Sequence, residues 1–365
     1  MKIPQCNPHA GYAALRKEID AAVARVFDRG IYILGSEVCL FEKEFAKYIG
    51  VNHGSGTGSG TEALHLALAA CGVGSGDEVI TVSHTAVATV AAIELCGATP
   101  VLVDVNPETF TIDPKQAEAA ITPKTKAIIP VHLYGHPADI AEILAAGQKH
   151  GIPVIEDCAQ SHGASYGDRK TGAWGTCAAF SFYPTKNLGA FGDAGMVVTN
   201  DSTLAGKCRS LREYGWRERY ISAEPGWNTR LDELQAAILR VKLPHLDKAN
   251  MRRQEIARHY DHGLGAAVIT PRTAKNRTHV YHQYVVRHAD RDRLREYMAT
   301  EKSIGTLVHY PVPIHLQPAY AGRVRVPFPL ENTETIAREI VSLPMFPELQ
   351  AGEIDDVIKA VKGFR

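Results

Sequence analysis

The chain has 365 residues, with 40 lysines and arginines against 40 aspartates and glutamates, long enough for one large domain and a smaller second one. The balanced charge gives no support to nucleic acid or an anionic membrane as partner, since each leaves a basic excess. No stretch approaches the ~20 apolar residues that cross a bilayer, and the opening MKIPQCNPHAGY has no apolar signal core. The seven cysteines are scattered without a C-x-x-C pair, so a soluble, cytoplasmic protein with reduced thiols is expected.

An opening helix over about 11–29 is expected to pack against a smaller C-terminal domain. The glycine-rich stretch GVNHGSGTGSGTEALHLALAACG (50–72) follows it. It lacks the lysine of a P-loop, and only a loose dinucleotide fingerprint, Gly58, Gly60 and Ala63, fits. Two readings remain. Gly60 and Thr61 begin an apolar helix over 60–71 whose free N–H groups and dipole accept an anion, or the segment is a flexible turn with Thr61 as N-cap. Next, β-branched runs at 77–84, 99–105, 126–133, 152–158, 177–183 and 195–200 read as strands. Helical spacing at 86–97, 114–121 and 138–150 separates the earlier ones. That alternation predicts an α/β fold with a mainly parallel sheet covered on both faces. In such sheets ligands bind beyond the carboxyl ends of the strands, where HLYGH, EDCAQSHG and YPTKN sit. From about 245 a charged helical stretch, the strand YHQYVVR, the helix RDRLREYMATEKS and helices near 332–341 and 352–363 describe a smaller α+β domain. The expected division is therefore 1–245 and 246–365.

The strand IPVIEDC ends in two carboxylates, Glu156 and Asp157. Strand side chains alternate, so one points into the crevice and the other away. A buried carboxylate costs free energy unless it meets a cation or donor, which a structural ion pair also satisfies. In SFYPTKNLGAFGDAG (181–195) a lone lysine, Lys186, sits between an apolar strand and a glycine-rich loop. Lysine is reluctant to be buried, so it needs a chemical reason or a partner there. Together, an anion site at a helix start, a strand-end carboxylate and this lysine are what pyridoxal 5'-phosphate requires. The lysine forms a Schiff base, the carboxylate keeps the pyridine nitrogen protonated and the helix end holds the phosphate.

These stretches carry a family resemblance. GSGTEAL, IEDCAQSHGA, SFYPTKNLGAFGDAG, GWNTRLDELQAAIL and HYPVPIHLQPAY occur in family order between GIYILGSEV and SLPMFPEL. The chain resembles the DegT/DnrJ/EryC1/StrS sugar aminotransferases, within the aspartate-aminotransferase fold type and its seven-stranded sheet. The resemblance implies that Lys186 carries the cofactor and that Asp157 pairs with its pyridine nitrogen. Gly60, Thr61 and Ser181 would hold the phosphate, and Gln160 would lie near the phenolic oxygen. Asn228 matches a residue that crosses a dimer interface to the neighbouring subunit's phosphate, which implies a homodimer. His309, Tyr310 and His315 match positions on the sugar side, and Arg230 suits a substrate carboxylate or phosphate. The implied reaction moves an amino group from L-glutamate to a nucleotide-linked keto-sugar, at C3 or C4.

One position departs from the family pattern. After SHT many members carry an aromatic residue that stacks on the cofactor, whereas this chain has Ala86; His84 is a candidate replacement. Three other functions stay open. A sugar 3-dehydratase on this scaffold has histidine for the anchoring lysine, so Lys186 argues against it. A cofactor-binding regulator and an aminotransferase on a free cyclitol are the others. No metal is expected: His132 and His136 flank Gly135 after a strand, and His279 and His282 fall on opposite faces of another.

Overall fold

A computed structural model describes residues 2–365. Seven strands form the central sheet: β1 (His53–Thr57), β2 (Glu78–Val82), β3 (Thr99–Val103), β4 (Thr125–Ile128), β5 (Ile155–Asp157), β6 (Cys177–Ser181) and β7 (Gly195–Thr199). β2 pairs parallel with β3 and β4, β5 parallel with β6, and β7 runs antiparallel to both β6 and β1. Parallel bridges Ile128–Val154 and Val131–Asp157 join β4 to β5. The order is thus β3-β2-β4-β5-β6-β7-β1, with β7 alone reversed.

Alternation along β6 divides the covering layers. Ala179 joins Leu64 and Leu68 of helix Gly60–Ala70 and Leu204 of helix Ser202–Leu211 on one face. On the other face, Phe180 meets Phe41 and Phe45 of helix Ser36–Ile49 and Leu239 of helix Glu233–Lys242. Phe41, Phe45, Phe180 and Phe182 are fully buried, each contributing roughly 1.5–3 kcal/mol from apolar burial. β1, which reads as a turn by composition, is a strand because its glycines admit close neighbours. A Cβ at Gly54 would lie 2.8 Å from the Glu42 carbonyl oxygen, and one at Gly56 would lie 2.7 Å from Leu231 Cβ.

In the C-terminal part, helices Leu246–Leu264, Arg291–Thr300 and Ala351–Gly363 and the antiparallel pair β8 (Tyr284–Arg287) and β9 (Ile340–Leu343) enclose their own core. Ile3 is buried in that same core and bridges to Ile304, and the Gln5 carbonyl accepts from the Met345 N–H. The opening helix spans Pro8–Arg29, and its placement differs from expectation. Its buried Ala22 and Val26 pack with Ala237 of helix Glu233–Lys242, and only its first turns approach Glu348. Its small residues are spaced for a helix neighbour in the same layer. The helix expected near 332–341 spans Glu331–Glu339, and the β-branched Ile340 and Val341 are drawn instead into β9, paired with β8.

Candidate active site

The carboxyl ends of the central strands surround a cavity of about 210 Å³. Its lining includes Gly60 and Thr61, Thr85 and Ala86, Asp157, Gln160, Ser181, Tyr183, Lys186 and Asp193. Six residues singled out by sequence thus meet here: Gly60, Thr61, Asp157, Gln160, Ser181 and Lys186.

Ser59 is the N-cap of the helix, its Oγ accepting from the Glu62 N–H, so Thr61 is left free of that task. The Ala63 N–H goes to the Ser59 carbonyl. The N–H groups of Gly60 and Thr61 have no partner among the described residues, and the helix dipole adds partial positive charge there. A Cβ on Gly60 would fall 2.5 Å from Ser181 Cβ and 3.0 Å from Ser181 Oγ. Glycine is required for the helix start and the serine to approach this closely. These open donors beside a hydroxyl suit a phosphate.

Asp157 ends β5 and is 4 % exposed. Its Oδ2 accepts from Thr89 Oγ1 at 2.8 Å and its Oδ1 from the Ala159 N–H at 3.1 Å. Burial pushes its carboxyl up, against the opposing pull of these donors and of Lys186. Lys186 is partly buried, and burial lowers its ammonium to about 8, with Asp157 opposing. Its backbone N–H donates to the Tyr183 carbonyl at 2.8 Å. Its neighbour Asn187 donates through Nδ2 to Asn250 Oδ1 at 2.8 Å and to the Val280 carbonyl at 3.0 Å. The loop bearing the lysine is therefore anchored to helix Leu246–Leu264. Gln160 is held on both sides: Oε1 accepts from the Tyr134 N–H at 2.7 Å, and Nε2 donates to the Tyr310 hydroxyl at 3.1 Å. That arrangement suits a ring carrying phosphate, a basic nitrogen and an aldehyde.

Other expected residues lie outside this lining. Tyr310 reaches it only through Gln160, and burial pushes its hydroxyl up to about 12. His309 Nδ1 lies 2.8 Å from Ser342 Oγ, and burial, with the charge of Lys186, lowers its imidazole to about 4. His315 is held by Ser83 Oγ at 2.7 Å and Glu334 Oε1 at 3.4 Å. Asn228 is exposed, its backbone bridged to Glu213. Arg230 is partly buried, with no partner for Nε among the described residues. Ala86 does line the cavity. His84 does not: it is buried, 2.9 Å from the Tyr134 hydroxyl, and its imidazole is pushed down to about 4 by burial. Thr85, Thr89, Tyr183, Asn187 and Asp193 escaped sequence reading. Thr89 and Asn187 act one bond away from the cavity, which leaves no local signal, whereas Tyr183 and Asp193 sit inside the SFYPTKNLGAFGDAG motif itself.

Glu156, on the opposite face, is saturated. It accepts from His132 Nε2 at 3.0 Å and from the N–H groups of Gly172, Trp174 and Gly175 at 2.9, 2.8 and 2.8 Å. Burial pushes it up, but His132 and these backbone donors outweigh burial and hold it below its ordinary value. With Cys158, these two groups have potential ligand atoms within 4.8 Å of one another. His132 Nδ1 accepts from the Ala138 N–H, so its Nε2 carries the proton given to Glu156. The cluster is a hydrogen-bonded brace, its lone pairs already spent.

Comparison with known proteins finds relatives along the whole chain. The model of the DegT/DnrJ/EryC1/StrS aminotransferase family matches residues 13–362. A Streptomyces venezuelae protein named dTDP-3-amino-3,4,6-trideoxy-alpha-D-glucose transaminase is 48% identical over 99% of this chain and 96% of its own. A Geobacillus stearothermophilus protein named pleiotropic regulatory protein is 46% identical over 100% of this chain and 99% of its own. Among solved structures, S. venezuelae DesV in complex with a ketimine intermediate superposes with a TM-score of 0.96 at 48% identity, covering 99% of this chain and 98% of that one.

Proposed function

The chain belongs to the DegT/DnrJ/EryC1/StrS aminotransferase family, and on that premise we propose that it transfers an amino group from L-glutamate to a nucleoside-diphosphate-linked keto-sugar at C3, using pyridoxal 5'-phosphate. One observation carries the reading: Lys186, Asp157 and the open helix start at Gly60 line one cavity at the carboxyl ends of the strands. The C3 position is supported by the name of the S. venezuelae relative.

When bound, pyridoxal phosphate supplies an electron sink for the carbanion that forms when the donor loses its α-proton. Gly60 and Thr61 bind its phosphate through their N–H groups, and Ser181 adds a hydroxyl. Asp157 takes the pyridine N–H, and that cation offsets the cost of its buried charge. Gln160, fixed by Tyr134 and Tyr310, orients the phenolic side of the ring. Lys186 would hold the cofactor covalently through its Nζ. Burial brings its ammonium to about 8, so the free amine is accessible near neutral pH and takes the proton from the donor α-carbon. The same amine would carry that proton onward, and the same residues would serve the ketone half of the reaction. His309, Tyr310, His315 and Arg230 serve the acceptor. Asn228 reaches the phosphate of a neighbouring subunit, making the unit a homodimer, and the protein is cytoplasmic. The described residues hold no helix long and apolar enough to cross a membrane.

The test is the visible spectrum before and after L-glutamate, followed by borohydride trapping, peptide mapping and turnover with C3 and C4 keto-sugar nucleotides. A glutamate-dependent band shift and an adduct on Lys186, both lost in Lys186→Ala, are expected. An adduct elsewhere would sink the proposal. A second reading, a cofactor-binding regulator, draws on the name of the G. stearothermophilus relative. Cofactor uptake without any glutamate-dependent shift would favour it.

A further inference from the structure

Two buried hydroxyls connect the cavity wall to Asp157 and have no part in the catalytic steps. Thr89, in helix Val87–Leu95, is fully buried. Its Oγ1 donates to Asp157 Oδ2 at 2.8 Å and lies 3.0 Å from Thr85 Oγ1. Thr85 is 3 % exposed and lines the cavity beside Ala86, whereas Thr89 is not part of the lining. Resting on the reading above, we propose that Thr89 is a positioning residue. Backed by Thr85, it holds the Asp157 carboxylate charged and aimed at the pyridine nitrogen of the cofactor.

Proton counting fixes the direction of this relay. A hydroxyl has one proton and two lone pairs, and an ionised carboxylate only accepts. The Thr89 proton goes to Asp157, so the contact between the threonines is made by the Thr85 proton, donated to Thr89 Oγ1. Thr85 then turns only lone pairs to the cavity. It therefore does not compete with the pyridine N–H for the remaining lone pairs of Asp157. The Thr89 side chain is set in place by its backbone N–H on the Ala86 carbonyl at 3.2 Å and by the few rotamers open to a β-branched residue. The other donor to the Asp157 carboxylate is the Ala159 N–H at 3.1 Å. Lys186, His132, Tyr310 and Cys158 are the titratable groups around it, and none bonds to its carboxylate oxygens among the described residues. Burial pushes the carboxyl up, and the Ala159 N–H and the Thr89 hydroxyl pull it down. Thr89 thus bears on whether the shared proton rests on the ring or on the acid.

The experiment follows the titration of Asp157 in the cofactor-free protein, through urea midpoints across the acid range, for Thr89→Val and Thr89→Ser. Valine keeps the branched shape and loses the hydroxyl, whereas serine keeps the hydroxyl. The carboxyl is raised, so its burden is absent below the unfolded value near ~3.9 and grows until pH passes the folded one. Losing a donor to the charged form raises the folded value, so Thr89→Val should extend that growth by about one pH unit. The extension should vanish in an Asp157→Asn background, and Thr89→Ser should restore the wild-type profile. Thr85→Val tests the outer end of the relay whether or not the first variant folds, and should move the profile the same way by less. In the loaded protein, Thr89→Val should slow the glutamate half-reaction about tenfold. Three results would overturn the proposal: valine profiles that keep the wild-type shape, an extension that persists without Asp157, or a serine variant that behaves as the valine one. A merely structural role gives the first, lowering the midpoints equally at every pH. The cofactor-free titration does not depend on aminotransfer, whereas the glutamate-driven spectral shift of the wild-type protein does, so either idea fails without the other.

Discussion

Two carboxylates one residue apart on β5 meet opposite fates. Glu156 faces the brace of His132 and three backbone N–H groups, and its lone pairs are spent. Asp157 faces the cavity with two donors, and burial pushes its carboxyl up. Both are buried, so burial does not separate structure from chemistry here. What separates them is saturation. A satisfied carboxylate holds the loop at 172–175, and an under-satisfied one is left to charge a ligand.

Exchanging each carboxylate for its amide breaks the comparison most directly. Asp157→Asn is expected to lower the glutamate half-reaction by about 10²–10³-fold while the melting temperature of the cofactor-free protein holds or rises. Stopped-flow spectroscopy and calorimetry check the two halves, and a large loss of stability would erase the distinction. Glu156→Gln should do the reverse. It replaces an acceptor with an amide that meets backbone donors, costing roughly 3–5 kcal/mol of folding stability, with the half-reaction per folded molecule retained. Denaturant titration alongside active-site counting reads this.

Gly60→Ala sharpens the same contrast from the phosphate end. Its Cβ would lie 2.5 Å from Ser181 Cβ, so cofactor affinity should fall by about 10–100-fold, equivalent to roughly 1–3 kcal/mol of overpacking. Equilibrium dialysis of the cofactor measures it. The smallest effect is on pH dependence, and its sign differs between the two acids. Glu156 is held below its ordinary value, so its stabilisation is present above the unfolded value near ~4.3 and is lost as pH falls through the folded one. The deficit of Glu156→Gln should therefore shrink in acid. Asp157 is pushed up in the cofactor-free protein, so its burden is absent below the unfolded value near ~3.9 and appears as pH rises toward the folded one. The advantage of Asp157→Asn should grow over that window, by at most ~1.4 kcal/mol per pH unit in urea midpoints measured from pH 3 to 7.

The β-branched runs gave the parallel strands from local pattern alone, because a strand buried on both faces has little choice of composition. β1 escaped that logic: HGSGT has no apolar side chain to count, and it is fixed by neighbours pressing on its glycines. The helices Ser36–Ile49, Ser202–Leu211 and Glu233–Lys242 were not read. The cavity lining at Gly60, Asp157 and Lys186 was legible because its chemistry needs particular residue types after particular strands. Thr89 and Asn187 were not, since they act through a second residue and their types are common everywhere. The residues proposed for the acceptor are less direct still: His315 is spent on Ser83 and Glu334, a use that HYPVPIHLQPAY does not disclose.

Ile3 completes a core whose other members come from the far end of the chain. During synthesis it emerges first, while its bridge partner Ile304 is still about 300 residues away, roughly 15–60 s at ~5–20 residues per second. From residue 199 onward the central sheet has all its strands, while Ile3 still waits for the rest of the C-terminal core. The nascent protein therefore acquires its lysine and aspartate well before the C-terminal core can close.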